Sequence, residues 1–120
     1  MEKVLPEHIN LAINAALDKK GFNLSLLEVA NLTSICDYFL IVSANSTIQV
    51  QAIVDNIEEK LSEIGRNPLR LEGKNAARWV LMDYGDLVVH VFIEEEREFY
   101  DLERLWRTSE NYLQTGVDKA

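Results

Sequence analysis

Cysteine is nearly missing from this chain. Cys36 is the only one among 120 residues, so no intrachain disulfide can form, no thiolate cluster can hold a metal, and a reducing cytoplasmic setting is expected. Histidine is scarce as well: His8 and His90 are the only two, and with one Cys they supply no metal-ligand spacing. Positive charge is in deficit, with 12 Lys and Arg against 20 Asp and Glu and a formal net charge of -8. That balance repels a phosphate backbone, which argues against direct, extensive nucleic-acid binding and favours a basic partner. Long apolar runs are also absent. No stretch approaches the ~20 residues of a membrane span, and "MEKVLPEHIN" has no apolar core of signal-peptide length, so a soluble protein without a membrane partner is expected.

What is present suffices for one hydrophobic core. A hydrophobic fraction of 48% in a chain near the common size of a single domain needs no disulfide support. "EHINLAINAALDKKG" sets Ile9, Ala12, Ile13, Ala16 and Leu17 on one stripe at helical spacing, with Pro6 suited to the first turn and Gly21 as a stop. His8, at the charged start of this helix, is expected to be exposed. "LLEVANL" and "DYFLIVSA" read as strands, the second central because it is apolar on both faces. Ser46 with Gln49 three residues later matches a capping box, and Val50, Ile53, Val54, Ile57, Leu61 and Ile64 trace the buried face of the helix that follows. "RNPLRLEGKNAAR" is a loop with a short strand near Leu69 to Leu71, two longer strands come next, and "EEEREFYDLERLW" predicts one helix with Phe99, Leu102, Leu105 and Trp106 on a common face. The expected fold class is α/β, a mixed sheet of about five strands flanked by helices.

The stretch "WVLMDYGDLVVHVF", Trp79 to Phe92, is a hairpin. With a turn centred on Tyr84 and Gly85, counting pairs Trp79 with His90 and Val80 with Val89. Alternation puts Trp79, Leu81, Val88, His90 and Phe92 on one face and Val80, Met82, Val89, Val91 and Ile93 on the other. The second set is aliphatic and belongs beneath helices. The first is mixed, and two readings stay open for it: core packing under another helix, or a surface that meets a partner. "DYGD" sets Asp83, Tyr84 and Asp86 at a turn expected to be exposed, which suits docking.

Catalytic signatures are thin. Asp83 and Asp86 could hold Mg²⁺, yet turns favour Asp for its local backbone hydrogen bonds. His90 with Cys36 or a serine has no nucleophile elbow to support it. "SANSTIQ" lies between a strand and a helix, where an anion could sit on free amides, but Ala44 and Asn45 stand where a phosphate loop needs glycine. No cofactor and no metal are expected.

Three blocks in order, "CDYFLIVSANSTIQVQAI", "LEGKNAARWVLMDYGDLVVHVF" and "EFYDLERLW", resemble the ribosomal silencing factor family, also called Iojap-like proteins, over most of the chain from about Glu28 to Trp106. The resemblance implies a fold like the nucleotidyltransferases without their catalytic residues, while length and residue pattern predict one domain over residues 1–107, followed by a polar tail over 108–120. It implies a protein that is not an enzyme: it binds the large ribosomal subunit through that subunit's fourteenth protein (uL14), sterically blocks joining of the small subunit, and so represses translation when nutrients are scarce. The family's partner-facing residues match Trp79 and Tyr84; Asp83, Asp86 and His90 of the same block are expected as contacts or supports. The alternative is an unusual Mg²⁺-dependent nucleotidyltransferase using Asp83 and Asp86. A homodimer of the free protein through the same apolar stripe is a further expectation.

Overall fold

The structure, a computed structural model, describes residues 5–106 together with 112 and 113. Pro6 occupies the N-cap of α1 (Glu7–Asp18), and its carbonyl accepts from Ile9 and Asn10. Ile9, Ala12, Ile13 and Ala16 are buried along the expected stripe, with Leu17 packed at its margin. The turn after the helix takes its positive φ at Lys20 (69°) rather than at Gly21. Gly21 serves space instead: a Cβ there would lie 2.8 Å from Val42 Cγ1 and 3.0 Å from the Ala16 carbonyl.

β1 (Phe22–Glu28) begins four residues before the expected strand at Leu26. Asn23, at φ 51°, lets the register shift between Phe22 and Ser25, so a strand that looks interrupted by polar residues still pairs with β2 (Tyr38–Ala44). All seven residues of β2 are buried, as a strand apolar on both faces requires. α2 (Thr47–Ser62) starts from the predicted cap: Ser46 Oγ accepts from the Gln49 amide at 3.1 Å, and Gln49 Oε1 reaches back to the amide of Asn45 at 2.7 Å. The Gln49 side-chain amide also donates to the carbonyls of Lys19 and Lys20, tying the start of α2 to the end of α1. Val50, Ile53, Val54, Ile57 and Leu61 are buried, whereas Ile64 lies beyond the helix and is 39% exposed, outside the stripe predicted for it.

Next come β3 (Arg70–Glu72), β4 (Trp79–Asp83), β5 (Leu87–Ile93), α3 (Glu94–Tyr100), α4 (Leu102–Trp106) and β6 (Tyr112–Leu113). The strands form one sheet in the order β3-β4-β5-β2-β1-β6. β2 and β5 run parallel at its centre and every other neighbouring pair is antiparallel. The five expected strands are therefore joined by a sixth of two residues, which lies within the segment read from sequence as a polar tail; the rest of 108–120 lies outside the described residues.

One sheet face, carrying Leu26, Leu40, Val42, Val80, Met82, Val89 and Val91, packs with the buried stripes of α1 and α2. The opposite face gathers Leu27, Val29, Cys36, Phe39, Ile41, Val88 and Phe92, with Trp79, Leu81, Leu102 and Trp106 half-buried against it. The single C-terminal helix expected from the sequence is two. Asp101 takes a left-handed conformation (φ 49°) and its amide closes on the Arg97 carbonyl, a role Asp fills at lower cost than most residues. The break turns Leu102 and Trp106 onto the sheet and leaves Phe99 and Leu105 outside, 80% and 76% exposed, so the four do not share a buried face.

Candidate protein-binding face

The β4–β5 ladder pairs Trp79 with Phe92, Leu81 with His90 and Asp83 with Val88. This is two residues away from the register counted around Tyr84 and Gly85, because Asp83 itself holds the turn: its Oδ1 accepts from the Gly85 amide at 2.9 Å while the Tyr84 amide donates to the Leu87 carbonyl at 2.8 Å. A shift of two preserves the side-chain alternation, so both predicted faces stand. Trp79 and His90 still meet, on a diagonal. The indole Nε1–H donates to His90 Nδ1 at 3.1 Å, which leaves the imidazole proton on Nε2. His90 is 5% exposed, and burial pushes its pKa down to about 4, so the ring is neutral in ordinary buffers.

Around this pair the aromatic rings are continuous. Phe92 stacks on Trp79 at 4.9 Å, Phe39 meets His90 edge-on at 5.3 Å, Trp106 meets Phe39 edge-on at 5.1 Å, and Tyr100 lies 4.8 Å from Trp79. His90, Phe92 and Phe39 form the buried floor, and Trp79, Tyr100 and Trp106 the partly open rim. The two readings left open for this face thus divide by residue: the floor is core and the rim is available for contact.

Tyr84 is not the exposed knob its place in "DYGD" implies. It is 7% exposed, packed in the core on the α1–α2 side, and its hydroxyl has no hydrogen-bond partner among the described residues. Burial, with Glu58 adding, pushes its pKa well above the ordinary value. The reason is parity: Tyr84 continues the inward series of Val80 and Met82.

Asp83 and Asp86 are engaged separately. Asp83 Oδ2 pairs with Arg70 at 3.4 Å across the β3–β4 ladder. Asp86 takes His8 Nε2 at 3.0 Å and Arg66 at 3.6 Å, and its carbonyl accepts from the amides of Asp37 and Tyr38. His8, expected to be exposed, is 3% exposed, and this partly exposed carboxylate gives its ring a polar partner. Among the described residues no three His, Cys, Asp or Glu side chains are grouped to hold a metal ion. The Cys36 thiol is pushed up to about 11, chiefly by burial and further by Asp83 and Asp37, which disfavours the thiolate a nucleophile needs. At the carboxyl ends of β2 and β5, where parallel sheets commonly bind ligands, Ala44, Asn45, Ile93, Glu94 and Glu95 line a half-open cleft of about 220 Å³. Its two carboxylates oppose a phosphate there.

A polar cluster that sequence reasoning missed fixes the other border of the aromatic face. Arg97, its side chain 11% exposed, donates to Ser43 Oγ at 2.7 Å, to Ser25 Oγ at 3.1 Å, to Glu103 Oε1 at 3.0 Å and to the Asn23 carbonyl. Ser25 in turn donates to Glu103 Oε2 at 2.5 Å. The available signal was two serines inside otherwise apolar strands, each needing a polar partner once buried. Among the described residues no helix is long and apolar enough to cross a membrane.

Comparison with known proteins places these features in a lineage. A family model described as "Ribosomal silencing factor during starvation" matches residues 2–120. A protein of Halalkalibacterium halodurans named ribosomal silencing factor RsfS is 47% identical over 92% of this chain and 95% of its own. The protein of that name in Bacillus subtilis is 43% identical over 82% of this chain and 83% of its own. A crystal structure of a Chromobacterium violaceum protein superposes with a TM-score of 0.84 at 34% identity, covering 98% of both chains.

Proposed function

This chain belongs to the ribosomal silencing factor family, and from that premise we propose that it acts by binding the large ribosomal subunit at its fourteenth protein and occupying the space the small subunit needs. The reading makes it a steric repressor of translation in the cytoplasm and not an enzyme. The observation that carries it is the rim of the aromatic face. Trp79 is half-buried on β4, anchored by its bond to His90 and its stack on Phe92, with part of its surface left for a partner. An aromatic held in one rotamer by its own protein loses little entropy on binding, which is the usual character of an interface hot spot. The net charge of -8 favours encounter with a basic ribosomal protein.

Within this proposal the five expected contact residues take different parts. Trp79 touches the partner. His90 orients Trp79, Asp83 holds the turn, Asp86 fastens the turn to His8, and Tyr84 supports the hairpin from inside the core. Mg²⁺ chemistry at Asp83 and Asp86 has less in its favour, since each carboxylate already has an arginine beside it, Arg70 for Asp83 and Arg66 for Asp86. A homodimer through the same rim would compete with the ribosomal contact, and light scattering with and without the purified partner measures that.

The test is subunit joining. Purified small and large subunits are mixed with saturating protein and resolved on a sucrose gradient. The expected result is that coupled ribosomes are lost and the protein travels with large subunits only; unchanged coupling would overturn the proposal.

A further inference from the structure

We infer that the outer surface of α3–α4 is a docking surface for a basic, amphipathic protein segment, one that presents apolar side chains flanked by Lys and Arg. The inference deepens the proposed function and rests on it where the segment is taken to belong to the large subunit. Phe99 is 80% exposed, Leu105 76% and Tyr100 46%. The Phe99 and Tyr100 rings lie 5.1 Å apart edge-to-face, and Tyr100 lies 4.8 Å from Trp79, so this surface runs on from the rim already described. Exposed aromatic groups that continue one another mark contact sites more often than scattered apolar residues do.

The charge around them selects the occupant. Residues 94–106 carry six carboxylates against two arginines. Among the described residues the ion pairs of this segment, Arg78–Glu96 and Arg97–Glu103, use half-buried carboxylates, whereas Glu95, Glu98 and Asp101 are exposed. An acidic border repels nucleic acid and anionic lipid, and apolar groups at its centre are not matched by a merely cationic chain. A segment that is both basic and apolar satisfies the two together.

The surface is also held ready. Helices of seven and five residues are too short to persist alone. Arg97 ties α3 to Ser25 and Ser43 in two strands and to Glu103 in α4, while Leu102 and Trp106 pack on the sheet. The ordering is therefore completed during folding and need not accompany binding.

The experiment uses the full chain and two probes: purified large ribosomal subunits, and a synthetic amphipathic helix built only of Leu and Lys. Phe99→Ser with Leu105→Ser, and separately Glu95→Lys with Glu98→Lys, should each weaken binding by about tenfold or more without lowering the melting temperature. Leu32→Ser with Ile35→Ser, which removes exposed apolar groups in the β1–β2 loop, should leave binding unchanged. Large subunits bound equally well by wild type and the Phe99/Leu105 variant would overturn the inference and leave the proposed function standing. Wild type that binds the Leu/Lys helix through this surface but not large subunits would overturn the proposed function and leave the docking surface in place. Binding of neither probe, or equal weakening by the Leu32/Ile35 control, would overturn the inference.

Discussion

Trp79 and His90 meet across a diagonal of the hairpin, the indole donating to the bare Nδ1 of the imidazole, although the ladder pairs Trp79 with Phe92 and His90 with Leu81. The bond needs His90 neutral, because a proton on Nδ1 would set two N–H donors against each other. Burial lowers the pKa of His90 in the folded chain from the ordinary 6.5 to about 4. As pH falls below 6.5 the unfolded chain takes up this proton first. Stability is full above about 6.5, declines as pH falls toward 4 and then levels, a loss of about 3 kcal/mol from this group. Urea unfolding between pH 7 and roughly pH 4 should show that decline, and His90→Gln should flatten it relative to wild type.

Tyr84 gives the opposite sign to what an exposed turn aromatic would. Its hydroxyl is buried without a partner among the described residues. Tyr84→Phe removes the desolvated group and keeps the ring, so the variant should be as stable as wild type or more stable by about 1 kcal/mol. Its binding to large subunits should not change, whereas Trp79→Ala should weaken that binding by about thirtyfold. Chemical denaturation and co-sedimentation measure the two effects.

Arg97→Met leaves Ser25, Ser43, Glu103 and the Asn23 carbonyl short of a donor on the sheet face. The expected cost is about 2 to 4 kcal/mol, with Trp106 losing its packed environment and the tryptophan emission moving to the red. Arg97→Lys should recover little, since an ammonium cannot span acceptors placed for a planar guanidinium.

Gly73→Ala tests the β3–β4 connection. Gly73 sits at φ +86°, and a Cβ there would stand 2.2 Å from the Trp79 carbonyl oxygen, so the loop or β4 must move. A loss of about 2 to 4 kcal/mol is expected, read as a lower melting temperature. Gly65→Ala, with positive φ but open space around it, should cost about 1 kcal/mol.

Much of the fold could be read directly from residue pattern. The stripe of α1, the Ser46–Gln49 cap of α2, the doubly apolar β2 and the two faces of the hairpin all follow from local periodicity, which is why they hold. Periodicity failed where one residue's backbone decided the matter. Asn23 and Asp101 take positive φ, displacing the start of β1 and splitting the last helix. It failed also where partners come from far along the chain: His8 with Asp86, and Arg97 with Ser25 and Ser43, answer to no local spacing. Trp79 and His90 could be brought together by counting, since a register error of two preserves the face. The burial of Tyr84 follows from the same alternation, since it shares the face of Val80 and Met82, but its place between two aspartates at a turn pointed the other way.

The central pair of the sheet sets a schedule for the newborn chain. β2 finds its parallel neighbour only when β5 exists, so Tyr38 must wait for Leu87, and seven residues destined for the interior stay uncovered on that side while α2 and the hairpin's first arm are being made. Long-range parallel pairing closes slowly. The chain therefore completes its central sheet only after most of it has left the ribosome that makes it, and its vulnerable interval is the time between those two strands.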